Sequence, residues 1–156
     1  MTAEELVREL AARKLTVSTA ESCTGGMLSA KIIDVPGASE IFTEGFVTYT
    51  NEAKMKRLSV SPGTLKDFGA VSAQCACEMA EGAARQSGAD IALSTTGIAG
   101  PGGGTDEKPV GLVYIGMKAG DTLTAKEFIF QGSRNDVRTQ TVEKALSILE
   151  EELKSP

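Results

Sequence analysis

The chain has 156 residues, enough for one domain with a sizeable core, and its make-up, 41% hydrophobic and 24% charged, is that of an ordinary globular protein. Lys and Arg number 16 against 21 Asp and Glu, a net charge of -5, which argues against a broad nucleic-acid surface but leaves room for a small basic pocket. There is no histidine, so a Ser-His-Asp triad, any Cys-His pair and His-based zinc sites are excluded, and catalysis must use other side chains or an unseen cofactor.

The N-terminus, Met1-Thr2-Ala3-Glu4-Glu5, is acidic and unlike a signal peptide. No run of about 18 apolar residues follows it, and a cytoplasmic protein is the expectation. Residues 2–14 read as a helix, with Thr2 and Glu5 as a capping box and Leu6 and Leu10 on the apolar face. Leu15-Thr16-Val17-Ser18-Thr19 alternates as a strand. Residues 25–34 read as a helix stopped by Pro36-Gly37. Between them, Thr19-Ala20-Glu21-Ser22-Cys23-Thr24-Gly25-Gly26 forms a strand-to-helix turn that presents free backbone N–H groups and small nucleophiles. Such a turn is either a well-capped loop or a site.

Residues 41–50 are rich in β-branched and aromatic types and read as a strand. Asn51 is then expected to cap a short helix over 51–57, and Ser61-Pro62 to open another. Ser72 caps a helix over 73–87, ended by Gly88, whose inward residues are mostly Ala and Cys and suit a flat partner such as a sheet. Residues 91–95 read as a buried strand, 97–108 as a glycine-rich loop, and 110–117 and 123–130 as a hairpin turned at Ala119-Gly120-Asp121. Ser133 caps the last helix, with Asp136 three residues on. The three cysteines, Cys23, Cys75 and Cys77, make neither a disulfide framework nor a thiolate zinc site. Early helix–strand alternation followed by a hairpin predicts an α/β three-layer sandwich in one domain over 1–156, with a mixed, mostly parallel sheet and helices on both faces. In such a sheet the turn at 20–26, the strand end at 49–54 and the loop at 97–108 converge on one crevice.

Ser22 needs a base to act as a nucleophile, and without histidine a neutral lysine is the natural one. Lys54, near the start of the predicted 51–57 helix, sits where a helix dipole disfavours a cation; the bland alternative is a solvated lysine in Lys54-Met55-Lys56-Arg57. Tyr49 is either a proton relay or a half-buried strand aromatic. Cys23 is a rival nucleophile or a structural thiol. The glycines of 97–104, Gly97 and Gly100 among them, allow close backbone approach to a ligand but match no Walker loop. Lys108 is within reach of a phosphate there, and Arg134 and Arg138, one helical turn apart, suggest an anion partner or pairs with Asp136 or Glu127.

Four blocks carry a resemblance: Thr19 to Gly26, Gly45-Phe46-Val47-Thr48-Tyr49-Thr50-Asn51-Glu52-Ala53-Lys54, Gly69-Ala70-Val71-Ser72, and Gly97-Ile98-Ala99-Gly100-Pro101 with Glu107-Lys108-Pro109-Val110-Gly111. In that order they resemble the CinA C-terminal domain family, whose enzymatic members are nicotinamide-nucleotide amidohydrolases, and the resemblance runs from about residue 4 to residue 152. It implies a metal-free, cofactor-free site that hydrolyses the carboxamide of nicotinamide mononucleotide to nicotinic acid mononucleotide and ammonia. Ser22 would be the nucleophile, Lys54 the base and Tyr49 their hydroxyl partner. Thr24, Gly25 and Gly26 would cradle an oxyanion or phosphate. Gly97, Gly100 and one of Lys108, Arg134 or Arg138 would hold the ribose phosphate. A homo-oligomer is expected, with no nucleic-acid or membrane partner. The alternative is a non-catalytic nucleotide-binding or competence/damage-inducible regulatory module.

Overall fold

In the computed structural model, which describes residues 1–155, six α-helices and five strands follow the order α1 (Ala3–Arg13), β1 (Val17–Glu21), α2 (Met27–Ile33), β2 (Phe42–Val47), α3 (Asn51–Leu58), α4 (Pro62–Asp67), α5 (Ala73–Ser87), β3 (Ile91–Gly97), β4 (Leu112–Ala119), β5 (Thr122–Ile129) and α6 (Arg134–Lys154), with a short 3-10 helix at Ala38–Glu40 before β2. The strands form one α/β sheet in the order β2-β1-β3-β4-β5. β2, β1 and β3 are mutually parallel, and β4 and β5 run antiparallel to their neighbours as a hairpin. Because β1, β2 and β3 point the same way, their C-terminal ends open at one edge of the sheet.

Strand alternation divides the core into two layers. On one face Val17, Leu93 and Ile115 pack against Leu6 and Leu10 of α1, Leu28 and Ile32 of α2, and Val137 and Leu149 of α6. On the other face Ala20 and Ala92 meet Leu58, Cys75, Met79 and Ala83 from the segment containing α3 and α5. The small side chains of α5 let it lie close: Ser94 Oγ donates to Ala76 O at 2.6 Å, and Gly116 leaves no space for a Cβ between Ser94 and Ala76 O.

Local signals read from the sequence hold where side chains meet nearby backbone. Thr2–Glu5 and Ser133–Asp136 form full capping boxes, Ser61 caps α4 with Pro62 in its first turn, and α5 runs from the Ser72 cap to Gly88. Several boundaries move: β3 runs to Gly97, the hairpin strands lie at Leu112–Ala119 and Thr122–Ile129 rather than 110–117 and 123–130, and two further shifts bear on the site. β1 lies two residues later than expected, because Glu21 still pairs with Val47 and with Thr95 in the ladders on either side. β2 stops at Val47, and Thr50, still extended at φ -90° and ψ 162°, caps α3 by accepting from Ala53 N. Asn51 is already helical, so it cannot be the cap.

Candidate active site

The parallel strands deliver three loops to one crevice of about 300 Å³ lined by Ser22, Tyr49, Lys54, Ala70, Gly97 and Arg134 among others. That volume lies at the small end of the range for small-molecule sites. Ser22 follows β1 directly, and its amide donates to Thr95 O at 3.0 Å. The nucleophile candidate is therefore mounted on the sheet. Lys54, the fourth residue of α3, leans toward the helix N-terminus, as helical side chains do. Its Nζ donates to Ser22 Oγ at 3.0 Å, to Thr48 O at 2.9 Å and to Tyr49 O at 3.1 Å.

Lys54 is 1% exposed and pairs with no carboxylate among the described residues. Burial pushes its pKa below the ordinary lysine value, with Cys75 and Cys23 opposing the shift. A buried amine without a counter-ion, in contact with a hydroxyl, has the residue types and the environment of a general base. Cys23 next door is disfavoured as a nucleophile. Burial pushes its thiol up to about 11, only partly offset by Arg138, so the thiolate is scarce at neutral pH.

The 22–26 turn is clamped from within by Glu21. This fully buried carboxylate accepts from Thr24 Oγ1 at 2.6 Å, Leu28 N at 2.8 Å, Ser29 N at 3.1 Å and Ser29 Oγ at 2.7 Å. It takes up donors at the start of α2 that would otherwise be orphaned. Thr24 Oγ1 also bonds Thr95 Oγ1 at 2.7 Å, so this hydroxyl is turned into the protein. Gly25 and Gly26 supply the left-handed backbone of the turn, at φ 54° and 103°. The amides of Cys23 and Thr24 have no acceptor among the described residues.

The other expected site residues divide. Tyr49 is 59% exposed; its carbonyl, not its hydroxyl, meets Lys54, and its hydroxyl accepts from Arg134 Nη2 at 3.2 Å. Arg134 lines the crevice and also donates to Gly100 O at 2.9 Å. Lys108 and Arg138, expected as phosphate ligands, are engaged with main chain outside the cavity lining. Lys108 Nζ donates to Phe68 O and, at 2.8 Å, to Val71 O. Arg138 donates to Cys23 O and Thr24 O. Gly97 and Gly100 both line the crevice; a Cβ on Gly97 would lie 2.6 Å from Val113 Cγ2 and 2.8 Å from Leu112 O.

Sequence reasoning missed four contributors. Ala70 and Val71 form part of the wall, and Thr96 Oγ1 ties Ala70 O to β3 at 2.8 Å. The Gly69-Ala70-Val71-Ser72 block was a usable signal for that wall. Glu21 lies on the same strand face as Val17 and Thr19, but nothing in its spacing announced the donors it collects. No group of three or more His, Cys, Asp and Glu side chains among the described residues is arranged to hold a metal ion, and no helix is long and apolar enough to cross a membrane.

Fold and site together define a class: a three-layer α/β protein whose strand-end crevice holds a buried Ser–Lys pair beneath a glycine-rich loop. The sequence profile of the CinA C-terminal domain matches residues 1–153, and the chain belongs to that family. A competence-damage inducible protein of Clostridium perfringens is 57% identical over 154 residues, 98% of this chain and 37% of that protein. The chain thus spans little more than a third of the curated relatives it matches. The competence/damage inducible protein CihA of Agrobacterium tumefaciens superposes with a TM-score of 0.91 at 44% identity, over 99% of this chain and 97% of that one. The competence damage-inducible protein A of Klebsiella pneumoniae does so with a TM-score of 0.92 at 37% identity, over 98% of each chain.

Proposed function

We propose that the protein is an amidohydrolase that converts nicotinamide mononucleotide to nicotinic acid mononucleotide and ammonia by acyl transfer through Ser22. The observation that carries this reading is the Lys54 Nζ–Ser22 Oγ contact, at 3.0 Å, of a lysine with 1% exposure. Neutral Lys54 removes the Ser22 proton as Oγ attacks the carboxamide carbon. The unpaired amides of Cys23 and Thr24 are candidate donors for the oxyanion, whose stabilisation usually contributes more to acyl transfer than any other single effect. Protonated Lys54 then gives its proton to the leaving ammonia, and a water, activated by the same amine, hydrolyses the nicotinoyl ester. Arg134 faces the phosphate, with Tyr49 at the mouth holding the guanidinium. The substrate assignment rests on family membership, and a cytoplasmic setting accompanies it.

The test is ammonia release from nicotinamide mononucleotide by the wild type and by Ser22→Ala. The variant should keep its fold by circular dichroism and lose at least about a thousand-fold in kcat, as when an acyl-transfer nucleophile is deleted. Full activity in Ser22→Ala would remove Ser22 as the nucleophile. A wild type that binds the nucleotide, seen as thermal stabilisation, without turnover would favour the regulatory binding module.

A further inference from the structure

We infer that Arg138 is a positioning residue for acyl transfer: it holds and polarises the Cys23–Thr24 peptide so that the Thr24 N–H serves the oxyanion formed at Ser22. This rests on the reading of Ser22 as the nucleophile. Arg138 lies one turn into α6, and its Nε donates to Cys23 O at 2.9 Å while Nη2 donates to Thr24 O at 3.1 Å. Thr24 O is held a second time by Met27 N at 2.9 Å. Gly25 packs against the same guanidinium, with the Cβ position 3.4 Å from Nη2.

The Cys23–Thr24 bond is trans, the one cis bond among the described residues being Gly100–Pro101. In a trans peptide the N–H points opposite to the C=O. With Cys23 O fixed on Arg138, the Thr24 N–H faces away from the guanidinium. The next peptide follows suit: Thr24 O is on Arg138 and the Gly25 N–H donates to Ser22 O at 3.2 Å. The Thr24 amide, like those of Cys23 and Gly26, is left without an acceptor among the described residues, while the Thr24 hydroxyl and the Cys23 and Thr24 carbonyls around it are tied down. An unpaired donor in so dense a network points to a partner that arrives with the reaction.

The charge of Arg138 supports the same role. It pairs with no carboxylate among the described residues, so its field acts on the two carbonyls it touches. A cation bonded to a carbonyl strengthens the N–H of that peptide as a donor. The field reaches the turn, since Arg138 partly opposes the upward shift of the Cys23 thiol. Arg134, one turn earlier, faces the cavity instead. The basic pair that looks like a double anion clamp therefore splits into one residue for the ligand and one for the peptide.

The experiment compares wild type, Arg138→Ala, Arg138→Gln and Arg138→Lys by steady-state ammonia release from nicotinamide mononucleotide, with and without added guanidinium. In parallel, the rate at which a fluorophosphonate loses fluoride to Ser22 Oγ is measured in each protein, because that reaction needs the same oxyanion donors without the nucleotide. Losing one such donor costs about a hundred- to a thousand-fold, so kcat of Arg138→Ala should fall about thirty- to three-hundred-fold with KM within about threefold. Phosphonylation should slow alongside it, guanidinium should restore at least about tenfold, and Arg138→Lys should lie between. A raised KM at constant kcat would overturn the proposal, because Arg138 would then be a substrate ligand. A kcat loss recovered neither by guanidinium nor by Lys would also overturn it, because the role would be packing alone. If the wild type releases no ammonia, the substrate reading fails and phosphonylation decides: a tenfold slowing in Arg138→Gln upholds the role, and an unchanged rate ends it.

Discussion

The two walls of the crevice are built by opposite means. On one side the 22–26 turn is held by Glu21 from within, by Arg138 from α6 and by Thr95 from the neighbouring strand. On the other side the 97–108 loop is main chain with little side chain, fastened at Gly100 by Arg134 and at its far end by Lys108. The difference teaches a division of labour. On the proposed reading, the clamped wall would fix the angle of attack, where small displacements cost rate, and the glycine wall would offer backbone to a ligand.

The largest test of that contrast strikes the clamped wall. Lys54→Arg should lose at least about a thousand-fold in kcat/KM, since a guanidinium keeps its proton and cannot be the base. In the wild type, kcat/KM should fall as pH drops and Lys54 becomes protonated. That acid limb should lie below the ordinary lysine value of 10.5, because burial depresses the pKa. A limb near 11 would instead match the Cys23 thiol. Stability carries the same sign. Between the depressed native value and the unfolded value the unfolded chain binds more protons, so Lys54 makes the protein more stable as pH rises through that window. Urea titrations of wild type and Lys54→Met across the window would expose this dependence.

A middle-sized effect belongs to the open wall. Arg134→Ala should raise KM about ten- to a hundred-fold, the worth of a charge-assisted contact, with kcat nearly unchanged. A kcat loss at constant KM would put Arg134 in the chemistry and erase the contrast between the walls. The smallest effect is at the far fastening. Lys108→Met should lower stability by about 1 kcal/mol through two lost carbonyl bonds, measured by denaturant titration, and leave KM within about threefold. A KM shift as large as that of Arg134→Ala would return Lys108 to the phosphate.

How much of this was legible follows from the range of each interaction. The caps at Thr2, Ser61, Ser72 and Ser133 were readable because a hydroxyl and an amide two or three residues away obey a local rule. The helix–strand order fixed the α/β class and the shared edge of the three loops. Ser22 and Lys54 were readable as the nucleophile and base types left once histidine was absent. Their contact spans 32 residues and depends on β2 ending at Val47, which propensity alone extended to residue 50. Lys108 and Arg138 were readable as cations, but their partners are carbonyls whose directions are set by loop paths with no sequence period. Glu21 was hidden because its four donors form a pocket only after α2 folds over β1.

Ser22 hangs from Thr95 O, and β3 continues from Thr95 into the glycine loop. The proposed attacking oxygen and the root of the glycine-rich wall are therefore rungs of one ladder, with Glu21 in register with Thr95. Any breathing of the sheet carries both together and leaves their separation unchanged.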